Sequence, residues 1–121
     1  MAWRVEYSAE AERDFDLIFD HLRASYVELG EDDEAAFRHA FSRVRHLKSE
    51  IDRLAATPHI GTLRPEMGSQ IRFLRRDNAA VWFQTDDAER RLDVLAIFFG
   101  GQDHIRHMLL RLLGSDEGGG A

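Results

Sequence analysis

Apolar and polar residues alternate at the start of the chain, and the spacing then becomes helical. The segment WRVEY, residues 3–7, alternates in this way, which predicts a half-buried strand. Ser8 follows as a candidate N-cap of a helix. Two apolar stripes with spacings of three and four predict two long helices, the first ending at Gly30 and the second capped by Asp32 or Asp33. The stripes are Ala11, Phe15, Ile18, Phe19, Leu22, Tyr26 and Leu29, and then Ala36, Phe37, Ala40, Phe41, Val44, Leu47, Ile51 and Leu54. The short acidic turn between them predicts an antiparallel hairpin.

The second half of the chain has the two-residue period of β-strands. Residues 57–69, TPHIGTLRPEMGS, contain both prolines and two glycines and are predicted to be a loop. Three strand candidates follow, QIRFLR, AAVWFQT and RLDVLAIFF, with turn residues between them that predict consecutive hairpins. The last candidate is apolar on both faces, so we expect it inside the sheet.

The C-terminal segment is predicted to be a short helix followed by a tail. Ile105, Met108, Leu109 and Leu112 have helical spacing, whereas residues 114–121, GSDEGGGA, are typical of a flexible tail. The element order is therefore β-α-α-β-β-β(-α). It predicts an α+β fold in which an antiparallel sheet packs against a two-helix hairpin, with residues 1–113 as a single domain.

The amino-acid composition argues against several classes of function. The chain of 121 residues contains no cysteine, which excludes a disulfide framework, a thiol nucleophile and a cysteine-based zinc site, and which suits the cytoplasm. No segment approaches the roughly 18 apolar residues of a membrane span, and the charged N-terminal segment is not a signal peptide. The net charge of −6 argues against a general nucleic-acid binder, so no direct sequence-specific DNA binding is expected.

Several segments, taken in order, resemble the RelE/ParE superfamily of toxins from bacterial toxin–antitoxin pairs. They are the first strand with YSAEAERDFDLIFDHL, then DRLAATPHIGTLR, IRFLRRDNAAVWFQTD and LDVLAIFFGGQDH, and together they span about residues 3–113. The resemblance implies a small toxin that a cognate antitoxin, encoded beside it, holds inactive. Plasmid stabilization and growth arrest are the roles it implies, with no cofactor.

Two mechanisms are known in this superfamily, and residue types favour one of them. RelE-like members cut messenger RNA on the ribosome with lysines, arginines and a tyrosine, whereas ParE-like members poison DNA gyrase without recognised catalytic chemistry. The tyrosines here are Tyr7 and Tyr26, and the only lysine, Lys48, lies within the second predicted helix. The RelE-type set is therefore absent, and we expect a ParE-like gyrase inhibitor. A ribosome-dependent mRNA endonuclease and a non-toxic corepressor of a DNA-binding antitoxin stay open as alternatives.

The endonuclease alternative would use histidine. Metal-free RNA cleavage needs a base, an acid and a cation at the phosphate. His104 and His107 share one face of the last predicted helix, and Arg72, which the resemblance places at a common arginine of the family, lies on a strand with Arg75 and Arg76. The catalytic candidates are His104 and Arg72. The competing interpretation is that these are solvated polar residues on amphipathic elements.

The segment FFGGQDH, residues 98–104, is best explained as a corner. Its glycines allow a sharp exit from the last strand, and Gln102 or Asp103 can cap the helix that follows. The candidate contacts to a target or antitoxin are Arg72, Arg75, Arg76, Gln102, Asp103 and His107. The six histidines form no H-E-x-x-H motif and no cluster with acids, so no metal site is predicted.

Overall fold

The computed structural model describes residues 2–100 and 103–120. The elements are β1 (Arg4–Tyr7), α1 (Ala9–Glu28), α2 (Asp33–Asp52), a 3₁₀ turn (Arg53–Ala56), β2 (Thr62–Leu63), β3 (Ile71–Arg76), β4 (Ala79–Asp86), β5 (Arg91–Phe99) and α3 (His104–Gly120). This order confirms the predicted α+β succession. It adds the two-residue strand β2 inside the segment that was predicted to be loop, where Thr62 and Leu63 pair with Phe73 and Arg72 of β3.

The sheet is mixed and has the strand order β1-β5-β4-β3-β2. The hairpins β3–β4 and β4–β5 are antiparallel as expected, and β5 lies inside the sheet between β1 and β4. The expectation of a purely antiparallel sheet was wrong, because β1 pairs with β5 in parallel. Alternation of apolar residues identifies a strand but contains no information about its direction. That direction depends here on the helical hairpin, which carries the chain from β1 to the opposite edge of the sheet.

Both long helices begin at the predicted caps. The Ala11 N–H donates to Ser8 Oγ at 3.0 Å, and the Ala35 N–H donates to Asp32 Oδ1 at 2.8 Å. The hairpin buries most of its apolar stripe against one side of the sheet, here called the hairpin face. Its core is formed by Phe15, Ile18, Leu22, Leu47 and Ile51 from the helices and by Val81, Phe83, Leu92 and Val94 from the strands.

Two members of the α2 stripe do not enter this core. Phe37 and Phe41 were expected to be buried with it, but they are 48% and 49% exposed. Their rings stack on each other with centroids 6.2 Å apart, and Phe37 also contacts Phe19 edge-on. The apolar stripe of α2 is wider than the surface of α2 that contacts α1 and the sheet, so part of the stripe stays exposed.

The opposite side of the sheet, the α3 face, is covered by the C-terminal helix. Its core consists of Ile71, Trp82, Ala96 and Met108. A β-bulge in β5 makes this second core possible: Trp82 pairs with Ala96 and Phe83 pairs with Val94, so that Leu95 has no partner in β4. Leu95 and Ala96 consequently both lie on the α3 face, and the alternation of β5 reverses after the bulge.

The helix α3 departs from the sequence prediction at two points. It continues through Gly120, beyond the expected start of a flexible tail at residue 114. No proline interrupts residues 104–120, so the backbone can continue the helical hydrogen bonding. Leu109, expected in the buried stripe, is 47% exposed because Ile105, Met108 and Leu112 occupy the side that meets the sheet. The domain boundary at residues 113/114 remains a prediction.

Candidate functional site

His104 begins α3 and packs on the α3 face of the sheet. Asp103 caps this helix, since the Arg106 N–H donates to Asp103 Oδ1 at 3.3 Å. The His104 ring meets the rings of Phe73 and Trp82 edge-on, with centroids 4.8 and 5.7 Å apart. This cap confirms one of the two predicted capping residues, whereas Gln102 lies outside the described residues.

The surroundings of His104 favour its neutral form. Its Nδ1 atom is buried and has no hydrogen-bond partner among residues 2–100 and 103–120. Burial lowers the pKa of His104 below the ordinary value of 6.5, and the positive charge of Arg75 lowers it further. The charge of Asp103 raises this pKa, and Arg64 lowers it by a smaller amount. A neutral imidazole can accept a proton, which is the property that a general base requires, but the Nδ1 atom of His104 is buried and is not exposed to a bound molecule.

Of the three predicted arginines on β3, the structure brings only Arg75 to His104. Arg75 lies on the α3 face, where its Nη2 donates to the Gly100 carbonyl at 2.8 Å. Arg64, which the sequence reasoning did not single out, is the second cation near His104, and it also forms an ion pair with Glu66. No sequence pattern indicated Arg64, because it lies in the proline- and glycine-containing segment before β3.

Arg72 and Arg76 point away from this site. Side chains alternate along a strand, so Arg72 lies on the hairpin face opposite Phe73. There it makes long hydrogen bonds to Gln70 Oε1 at 3.4 Å and Thr85 Oγ1 at 3.5 Å. Arg76 donates to the Arg75 carbonyl at 3.2 Å and borders a groove at the C-terminal end of α2. The combination of His104 with Arg72 that the endonuclease alternative would use is therefore not formed, because the sheet separates the two side chains.

His107 also occupies a different environment from His104. It is exposed, and its ring lies 5.7 Å from the ring of Phe98, beside the groove between α1 and α3. The one-turn spacing predicted a shared helix face, but the two imidazoles contact different aromatic residues. They do not form an acid–base pair in the structure.

The strongest polar contact of α3 was not predicted from the sequence. Arg111 donates to both carboxylate oxygens of Asp14, at 2.8 and 3.0 Å, and approaches Glu10 at 3.4 Å. Asp14 is only 4% exposed and also accepts the backbone N–H of Ile97 at 2.8 Å. One signal was present in the sequence: Asp14 stands beside Phe15 within the apolar stripe of α1, where an acid is unusual unless it has a partner.

The tyrosines and the lysine lie away from His104. The Tyr7 hydroxyl donates to Asp52 Oδ1 at 2.6 Å, and Lys48 Nζ donates to Asp52 Oδ2 at 3.1 Å. Burial of Tyr7 and its contact with Asp52 raise the pKa of this hydroxyl well above its ordinary value. Tyr26 contacts His39 within the helical hairpin. All three therefore belong to the hairpin side of the molecule.

Neither a metal site nor a membrane-spanning helix is present in the part of the chain that the structure describes. Within it, no three histidine, aspartate or glutamate side chains are grouped so that they would hold a metal ion. None of its helices combines the length and the apolar character needed to cross a membrane.

Comparison with known proteins identifies the fold. No family model and no curated protein matches the sequence. Among solved structures, the chain is similar to the chromosomal ParDE TA system from P. aeruginosa, with a TM-score of 0.60 and 20% identity over 83% of this chain and 98% of that chain. It is also similar to a mutant of the E. coli toxin RelE in the free state, with a TM-score of 0.55 and 14% identity over 92% and 97% of the two chains. For the isolated E. coli RelE toxin the TM-score is 0.51, with 9% identity over 93% and 99%. The chain therefore has the fold of the RelE/ParE toxins.

Proposed function

We propose that this chain is the toxin component of a type II toxin–antitoxin module and that a cognate antitoxin neutralises it. The observation that carries the proposal is the likeness over nearly the full length of the solved chains, with the highest TM-score of the three, 0.60, for the ParDE system. The resemblance noted in the sequence points to the same class. The protein would act in the cytoplasm, arrest growth when it is free of its antitoxin, and stabilise a plasmid that carries the pair.

Of the two known mechanisms, inhibition of DNA gyrase fits the arrangement of these residues better. A RelE-type nuclease needs lysine, arginine and tyrosine side chains that converge on a phosphate. Tyr7 and Lys48 are hydrogen-bonded to Asp52 on the hairpin side, across the sheet from His104. Within the described residues, the chemistry of that nuclease is not assembled, whereas gyrase inhibition requires only a binding surface.

A ribosome-dependent mRNA endonuclease is the second candidate, supported by one observation. His104 is kept neutral and lies near two arginines, Arg75 and Arg64. A neutral imidazole suits the base that takes the 2′-hydroxyl proton, and arginine suits the charge that develops on the phosphate. No second proton donor accompanies His104 there among the described residues, because His107 lies over Phe98.

Pulse labelling separates the two mechanisms. The chain is induced in cells without its antitoxin, and DNA and protein synthesis are followed separately from the first minutes. We expect DNA synthesis to stop first. If protein synthesis stops first, the gyrase proposal is wrong. Normal growth would instead favour the third alternative, a non-toxic corepressor that acts only with a DNA-binding antitoxin.

A pair of variants then tests the endonuclease candidate. His104→Ala removes the proposed base, and the matched control Arg38→Ala removes an exposed arginine of α2 that pairs with Glu34. A nuclease centred on His104 loses toxicity with the first change and keeps it with the second. A gyrase inhibitor without catalytic chemistry keeps measurable toxicity with the first change, provided that the variant is folded and binds the antitoxin.

A further inference from the structure

An open groove runs between α1 and α3 above the end of β5. Its volume is about 530 Å³. The floor is formed by Ile97, Phe98 and Phe99, and the walls are formed by Leu17 and His21 of α1 and by His107 and Arg111 of α3. The α1 residues that line it, 14 to 21, cover about two helical turns, roughly 10 Å. A trough of this shape suits a short peptide segment better than a compact small molecule.

The apolar part of the groove is left uncovered by the residues that the structure describes. Leu17 is 64% exposed, although it stands on the helix whose neighbouring residues Asp14 and Ile18 are buried. Phe98 and Phe99 are only partly buried at the floor. An apolar segment that lay in the trough would cover Leu17 and the parts of Phe98 and Phe99 that line it, and burial of apolar side chains is how peptide grooves gain most of their binding free energy.

The polar lining of the groove can accommodate an acidic group. Asp14 is the acidic side chain among the described residues that line it, and its oxygens already accept hydrogen bonds from Ile97 and Arg111. The other titratable groups in the lining are the imidazoles of His21 and His107. Arg43, whose guanidinium carbon lies 6.0 Å from the centre of the Phe99 ring, is already in an ion pair with Asp77 at 3.9 Å. A carboxylate that enters the groove therefore meets the imidazoles of His21 and His107 and the side-chain amide of Asn78.

We propose that this α1–α3 groove binds a segment of the antitoxin that carries apolar side chains and at least one carboxylate. The inference rests on the proposed function, because it assigns a surface to the partner that a type II toxin requires. The apolar side chains lie over Phe98 and Phe99 and against Leu17. The carboxylate faces His21 and His107. Complementary charge of this kind orients a segment in its groove and excludes segments of the wrong sign.

The test begins with co-expression of the chain and the product of the adjacent reading frame. The double variant Leu17→Glu/His107→Glu places two acids on the walls of the groove. Loss of two central contacts and like-charge repulsion are expected to lower the affinity by about 30-fold or more. The matched control is Leu29→Glu, since Leu29 is 80% exposed and lies at the C-terminal end of α1, away from the groove. Circular dichroism and the melting temperature verify that both variants are folded.

Crosslinking identifies what occupies the groove. The chain has no cysteine, so Leu17→Cys and Leu29→Cys each create a single site for a maleimide-linked photocrosslinker. We expect a crosslink to the antitoxin from position 17 and none from position 29. Affinity of the double variant within about threefold of wild type overturns the inference, and so does a crosslink from position 17 to a second copy of this chain. Failure of the wild-type chain to bind the product of the reading frame, or to arrest growth without it, would instead count against the proposed function.

Discussion

The ion pair between Arg111 and Asp14 should be the main polar contact that holds α3 on the molecule. The change Arg111→Met keeps an apolar stem near Phe98, whose ring centre lies 4.9 Å from the guanidinium carbon, but it removes the charge. Asp14, with a side chain that is 5% exposed, would then keep only the hydrogen bond from Ile97. Leaving a buried charge without its partner typically costs about 3–5 kcal/mol. Arg111 is 26% exposed, so water can reach its end of the pair, and we expect the lower value, about 3 kcal/mol.

Urea and thermal unfolding followed by circular dichroism measure this cost. For a domain of this size, about 3 kcal/mol corresponds to a fall in melting temperature of about 10 °C. The reference is Arg38→Ala, which breaks an exposed i,i+4 pair with Glu34 and should cost about 0.5 kcal/mol or less. The partner change Asp14→Asn keeps an acceptor for the Ile97 N–H, and in that background Arg111→Met should cost only about 1 kcal/mol. A cost of Arg111→Met below about 1 kcal/mol, or an equal cost in both backgrounds, would refute the reasoning.

Three further predictions concern His104, Gly61 and Met108. Because the pKa of His104 is lowered in the folded state, the stability that the neutral imidazole contributes is complete above about pH 6.5 and is lost as the pH falls below that value. The difference in unfolding free energy between wild type and His104→Gln should therefore change with pH. A difference that stays constant with pH contradicts this prediction. Gly61 and Gly30 have similar positive φ values, +99° and +103°, but a Cβ at Gly61 would lie 2.6 Å from a carbonyl oxygen of β3, whereas a Cβ at Gly30 would contact nothing within 4 Å. Gly61→Ala should therefore lower the free energy of unfolding by at least about 1 kcal/mol more than Gly30→Ala, as measured by denaturant unfolding. Equal losses would show that the contact at Gly61 relaxes. Met108→Ala should lower the free energy of unfolding by about 2–4 kcal/mol, because Met108 is buried. Leu109→Ala should lower it by less than about 1 kcal/mol, because Leu109 is about half exposed. Similar losses for both variants would mean that α3 is rotated differently on the sheet.

The elements of the fold could be predicted because each depends on local pattern. The caps at Ser8 and Asp32 and the central position of β5 follow from side-chain chemistry and apolar spacing. The parallel pairing of β1 with β5 could not be predicted, because it depends on the path of the whole hairpin. The bulge at Leu95 was hidden for a related reason: β5 is apolar on both faces, so a reversal of its alternation leaves no trace in the sequence.

The candidate site was predicted less well, because its geometry depends on which side of the sheet each residue faces. Arg72, Arg75 and Arg76 are indistinguishable by spacing, and only the side covered by α3 decides that Arg75 is the neighbour of His104. The pair Arg111–Asp14 joins residues 97 positions apart, and no local rule connects them. Sequence reasoning thus placed His104 at the start of α3, but it did not indicate Arg64, which follows β2, or Asp14 as the partner of Arg111.

The charge distribution around α3 links these observations to the proposed function. The helix meets the rest of the chain through the Arg111–Asp14 pair and through His104, which lies near Arg75 and Arg64. Its apolar contact is the small core around Met108, whereas Leu109, Leu110 and Leu113 are about half exposed. A buried ion pair and a small apolar core therefore hold α3, whereas α1 and α2 are held by the larger core of the hairpin face. A partner that engages the α1–α3 groove would contact the helix that this smaller core holds.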